Sequence, residues 1–191
     1  MTPQLEINPE RSALLVMDFQ TSIVENFASD QEALLARTSS LLKAAREKGM
    51  RVIYVVVGFR PGYPEISPNN ASFSAIKQSA RFDLGGSPEQ SIHPKLAPQP
   101  GDVIVVKHRV SAFFGTDLDM VLRANGLDTL VLCGIATSGV VLSTLRHAAD
   151  ADYRAIVVED CCADRDPEVH ACLMGKVFPR QASIVKAEAL L

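Results

Sequence analysis

No stretch of this 191-residue chain reaches the roughly 18 consecutive apolar residues that a membrane-spanning helix needs, so the sequence argues against a helical membrane protein. The first residues, MTPQLEINPERSALLVMDFQ, lack the basic region, long apolar run and small-residue cleavage site of a secretory signal, and a cytoplasmic location is expected. Lysine and arginine occur without a basic run and the formal charge is −3, which leaves nothing to track a phosphate backbone. Nucleic acid and membrane are therefore not expected partners. Neither Gly-x-Gly-x-x-Gly nor a phosphate loop occurs, which disfavours nucleotide binding. Cysteine is scarce: Cys133, Cys161, Cys162 and Cys172 all fall in predicted strand or helix positions, so reduced thiols are expected rather than a disulfide framework. Internal repeats and low-complexity tracts are also absent.

What is present is an ordinary globular composition, 47% hydrophobic and 21% charged, in a length that suits one domain over residues 1–191. Six continuous apolar runs stand out: SALLVMDF (12–19), RVIYVVV (51–57), DVIVVK (102–107), TLVLCG (129–134), RAIVVED (154–160) and ASIVK (182–186). Runs without alternation suit strands covered on both faces, as in a parallel sheet. Helical spacing occupies the intervals. QEALLARTSSLLKAAREKG (31–49) ends at Gly49, and TDLDMVLRANG (116–126) has Thr116 as cap and Gly126 as stop. SGVVLSTLRHAADAD (138–152) follows, then DPEVHACLMGKV (166–177) with Asp166 as cap and Pro167 in the first turn. The βαβ rhythm predicts an α/β fold, a three-layer α/β/α sandwich around a mostly parallel six-stranded sheet.

One segment interrupts that rhythm. Residues 58–101, rich in Pro, Gly, Asn and Ser, are too long for a simple connection and read as a functional cover or as a crossover with a short helix near 70–80.

Ligands of open α/β sheets bind beyond the carboxyl ends of the strands. Three features lie there: Asp18 after LLVM, Lys107 after VIVV, and the turn GIATSG after TLVLC. A carboxylate and an amine ending apolar strands are costly unless they meet each other or a ligand. From the residues alone, a structural pair and a catalytic pair are equally open.

Asp18 in MDFQ, Lys107 in VVKHRVSAFFGTDLD, and GIATSGVVLSTLRHAADADY together resemble the isochorismatase-like (cysteine hydrolase) family in order, spacing and surroundings, and the similarity runs on through VVEDCCADRDPEVH. The resemblance implies a Rossmann-like fold, hydrolysis of small amides, imides or enol ethers, and homo-oligomers. It also implies a triad of Asp, Lys and Cys, in which the Asp relays a proton, the Lys lowers the thiol pKa and the Cys attacks. The family turn runs Gly-x-x-Thr-x-x-Cys, and counting from Gly134 through Thr137 reaches Val140. No metal is implied: the nicotinamidase-type Asp-x-His-x-x-His is replaced by GFRPGYPEISPNN, and His93, His108, His147 and His170 are dispersed. No organic cofactor is implied either.

Valine at the nucleophile position admits three readings. The chain is a hydrolase without a thiol, with Asp18 protonating an enol ether and water trapping the oxocarbenium ion; or it is a catalytically inactive small-molecule-binding or interaction protein; or Cys133 or Ser138 attacks instead. The first is adopted, for a small metabolite, anionic ones included. Its catalytic positions are Asp18, Lys107 and Val140. Substrate contacts are expected from Phe19, Gln20, Arg60, Tyr63, Phe114, Thr137 and Gly139. The resemblance further implies a cis peptide near Ala136–Thr137, and the N–H groups of Gly139 and Val140 stand at the helix start as candidate oxyanion donors.

Overall fold

A computed structural model describes residues 6–79 and 86–191. Six strands form one sheet in the order β3-β2-β1-β4-β5-β6. They are β1 (Ser12–Met17), β2 (Arg51–Val57), β3 (Val103–Lys107), β4 (Thr129–Ile135), β5 (Arg154–Ala163) and β6 (Ala182–Val185). Every pairing is parallel, as continuous apolar runs require. All six residues of β1 are buried. Leu14 and Val16 belong to the core on one face, and Ala13, Leu15 and Met17 to the core on the other, because successive side chains of a strand point oppositely.

Helices cover both faces: α1 (Thr21–Phe27), α2 (Gln31–Glu47), α3 (Ala71–Ser79), α4 (Leu118–Ala124), α5 (Leu142–Asp150) and α6 (Pro167–Cys172). The α2 helix stops before Gly49, whose φ of 76° suits a residue without Cβ. The α6 helix is capped as read, with Asp166 accepting from the N–H groups of Glu168 and Val169. In the long segment, α3 supplies the short helix expected near 70–80.

Some elements differ from the sequence reading: β5 runs on to Ala163, α5 begins at Leu142 and α6 ends at Cys172. The α1 helix was not foreseen, being seven residues long and lacking a side-chain cap. Nor does α4 start at Thr116, because the Thr116 hydroxyl donates to Ala112 O at 2.6 Å and its oxygen accepts from Leu118 N at 3.3 Å, which makes a turn ahead of the helix. No helix among the described residues is long and apolar enough to cross a membrane. Strand order reverses between β1 and β4, and a crevice opens at such a switch point beyond the strands' carboxyl ends.

Candidate active site

Asp18 stands one residue beyond β1, in the left-handed region at φ 59°, which aspartate tolerates better than most side chains. Its N–H is held by Val55 O at 2.8 Å, which continues the β1–β2 ladder through the bend. Lys107 is the last residue of β3, in register with Val57 of β2. The two charged side chains thus arrive from strands either side of β2. They meet at 2.9 Å, Lys107 Nζ to Asp18 Oδ2, with only 3% and 8% of the side chains exposed. Lys107 also donates to Arg109 O at 3.1 Å. Asp18 Oδ1 is buried and has no hydrogen-bond partner among the described residues. Burial raises the Asp18 carboxyl above its ordinary pKa, outweighing the opposing pull of the Lys107 ammonium.

Both groups line a cavity of about 360 Å³. Its walls are mainly apolar, with Ile23 and Phe27 from α1, Phe73 and Ile76 from α3, and Val110, Ile135 and Val140 from the strand ends and loops. Such a volume lies at the low end for small-ligand sites. Val140 is 2% exposed and contributes hydrocarbon to the cavity wall.

The turn that carries Val140 depends on close strand approach. A Cβ on Gly134 would lie 2.8 Å from Met17 O, so only glycine fits where β4 passes β1. A cis peptide joins Ile135 to Ala136, one bond earlier than expected. An irregular helical turn over Thr137–Val141 follows, bent at Gly139 (φ −99°, ψ −105°), and leads into α5. Gly139 N–H donates to Ala136 O at 3.0 Å, so this donor is spent inside the turn and is not the oxyanion donor anticipated. Thr137 is buried and its hydroxyl meets His170 Nδ1 at 2.8 Å; it holds α6 against the turn and does not line the cavity. Ser138 and Gly139 do line it.

The remaining sequence-predicted contacts are dispersed. Phe19 is 1% exposed within the core rather than on the cavity wall. Gln20 is a bracket: its side chain accepts from Val57 N at 2.8 Å and donates to Val57 O at 2.9 Å and Ser91 Oγ at 2.7 Å. Arg60 points to Glu65 at 2.6 Å, and Tyr63 packs beside Phe59 with ring centres 5.8 Å apart. Phe114 is 64% exposed. None of these five lines the cavity. Cys133 is fully buried, its thiol directed at Leu15 O (3.4 Å) and its pKa pushed well up by burial, and it does not line the cavity.

Sequence reasoning missed Asp164, which accepts Ser138 N–H at 2.7 Å, and the Thr137 partner His170. Asp164 follows the end of β5 in CCADRDPEVH, and that position beyond a strand's carboxyl end was the available signal. The hydrophobic wall from α1 and α3 carried no comparable mark.

The isochorismatase domain family matches residues 12–189. An uncharacterized isochorismatase family protein, YecD of Escherichia coli O157:H7, is 32% identical, covering 98% of either chain. The ureidoacrylate amidohydrolase RutB of Stutzerimonas stutzeri is 33% identical over 96% of this chain and 79% of its own. Among solved structures, a cysteine hydrolase from Pseudomonas syringae pv. phaseolicola superposes with a TM-score of 0.86 at 26% identity, covering 100% of this chain and 97% of that one. With the match spanning nearly the whole chain, on the fold and strand-end geometry described above, this protein belongs to the isochorismatase family of hydrolases.

Proposed function

We propose that the protein hydrolyses a small molecule bearing an enol ether by general acid catalysis from Asp18, without a covalent intermediate. The supporting observation is the state of Asp18: it lines the cavity, has one buried oxygen without a partner, and is held above the ordinary carboxyl range by burial. In this reading the protonated carboxyl delivers its proton to the vinyl carbon. Water adds to the oxocarbenium ion, the hemiketal or hemiacetal releases its alcohol, and the proton lost by that water restores Asp18. In the unliganded protein Lys107 holds Oδ2, which places the carboxyl at the cavity wall. Val140 takes no part in bonding; it closes the wall where a thiol would stand in relatives that attack carbonyls. The amidohydrolase among the relatives supports hydrolysis as the reaction type. Covalent attack by cysteine has no candidate here, since none of the four cysteines lines the cavity.

The test is turnover of a panel of small vinyl ethers and small amides by the wild-type protein, by Asp18→Asn, and by protein alkylated at its accessible thiol. Vinyl-ether hydrolysis should fall by about 10²- to 10⁴-fold in Asp18→Asn and survive alkylation. Loss of activity on alkylation, retention of it in Asp18→Asn, or turnover of nothing in the panel would overturn the reading. The last outcome would favour a binding protein on the same fold. A cytoplasmic homo-oligomer remains our proposal for the assembled state, on the strength of the resemblance.

A further inference from the structure

The cavity's charges balance in a way that specifies its ligand. Around Asp18, β2 contributes Val57, the turn after β4 contributes Ala136 and Val140, α1 contributes Ile23, and α3 contributes Phe73. Among the described residues of the elements lining the cavity, only β3 brings a charged group toward Asp18, namely Lys107. Four described cations of the neighbouring segments are engaged elsewhere. Arg60 pairs with Glu65, Arg109 donates to His108 O at 2.6 Å, Lys77 donates to Gly62 O at 3.2 Å, and Arg165 stacks 4.8 Å from the centre of the Phe27 ring. None of the four lines the cavity.

An ammonium carries three N–H donors. Those of Lys107 reach Asp18 Oδ2 and Arg109 O, which leaves one without a partner among the described residues. As it stands, the ionised pair is neutral overall. An anion entering this apolar space would leave one uncompensated negative charge, which a low-dielectric site strongly disfavours. The charge returns to zero if Asp18 takes a proton as the anion arrives and the ligand replaces it as the partner of Lys107. A second ligand carboxylate would find no cation among the described lining residues.

We propose that the site takes a small monocarboxylate with an apolar body, and that its carboxylate displaces Asp18 from Lys107, so that one proton enters with each ligand. The ligand thereby creates the protonated acid that the proposed reaction uses. The apolar body lies against Phe27, Phe73, Ile76 and Val110. This inference rests on the acid reading for its purpose, but not for its test, because ligand binding and proton uptake are measured without turnover.

The test is titration calorimetry from pH 6 to 9, in buffers of different ionisation enthalpy, with three probes of one shape: cyclohexanecarboxylate, cyclohexylmethanol and trans-1,4-cyclohexanedicarboxylate. The monocarboxylate should bind at least about tenfold more tightly than either of the others. Its uptake should rise to about one proton per ligand at the alkaline end, with affinity there falling about tenfold per pH unit, as linkage demands. The alcohol should bind with no uptake. Asp18→Asn should bind the monocarboxylate more tightly than wild type, without proton uptake, since nothing then competes for Lys107. Binding without uptake in the wild type, equal affinity for the alcohol or the dicarboxylate, or failure of all three probes to bind would overturn the proposal. The wild-type titration decides even if the Asn variant does not fold. Uptake without vinyl-ether turnover would remove the acid reading and keep this one, and turnover without uptake would do the reverse.

Discussion

At Asp18 two opposing influences act within one hydrogen-bond length, and burial prevails over the ammonium. An aspartate carboxyl in the unfolded chain titrates at about 3.9, and the folded one titrates higher. The folded state therefore binds more protons between the two values. Its contribution to stability is fully present below the unfolded value and is lost as pH rises through the folded value. Lys107→Met removes the one group that opposes burial through charge, so the Asp18 pKa should rise further and the pH dependence should steepen. Urea unfolding should show a loss of about 3–5 kcal/mol relative to wild type at pH 8, and a distinctly smaller loss at pH 5, where the acid escapes its charge by taking a proton. An equal loss at both values would mean that Asp18 does not titrate in that window. Both members of this pair were legible in the sequence, because a charged residue ending an apolar strand has to be explained. The role of Gln20 was not. Its bonds to Val57 cross 37 residues and leave no periodic trace, so a structural bracket looked like a substrate contact. Arg60 and Phe114 were misplaced for a related reason: nearness in sequence to a strand end does not say which way a side chain turns.

Strands proved easier to read than the short helices, since a parallel strand buried on both faces is an unbroken apolar run. The α1 helix, with seven residues and no cap, offered too few turns for its periodicity to show. Where β4 passes close to β1 the sequence did hold a mark, the glycine ending TLVLCG. Gly134 faces Met17 across the β1–β4 pair, and an added Cβ would meet Met17 O at 2.8 Å and Met17 Cβ at 2.9 Å. Backbone in the middle of a sheet cannot swing aside as a side-chain tip can. Gly134→Ala should therefore cost about 1–3 kcal/mol, read as a lower urea midpoint. It should also disturb the turn behind it, since Val140 Cγ1 lies 3.4 Å from the same point. Unchanged stability would mean that the strands separate more readily than their register suggests. This contact explains why a wall residue of the cavity is sensitive to a strand that bears no functional group.

Across the whole molecule, the four cysteines test how completely the sheet and its covering helices exclude water. Cys133, Cys161 and Cys162 are buried, Cys172 on α6 is exposed, and all four are free. Burial raises the thiol pKa at Cys133 and Cys162, and pushes that at Cys161 up to about 12. Thiolate is the reactive form, so these three are protected both by access and by ionisation. Ellman's reagent at pH 8 should therefore titrate one thiol quickly in the native protein and the other three only as the molecule unfolds. Their rate in increasing urea should follow the global transition, because three sites on two central strands have no shared local opening short of separating the sheet from its helices. Alkylation of Cys172 should leave vinyl-ether turnover unchanged, since its side chain does not line the cavity. A second thiol reacting as fast as Cys172 would show that the strand ends near the turn open on their own. The cavity would then be entered through motion of β4 and β5 rather than past α1 and α3.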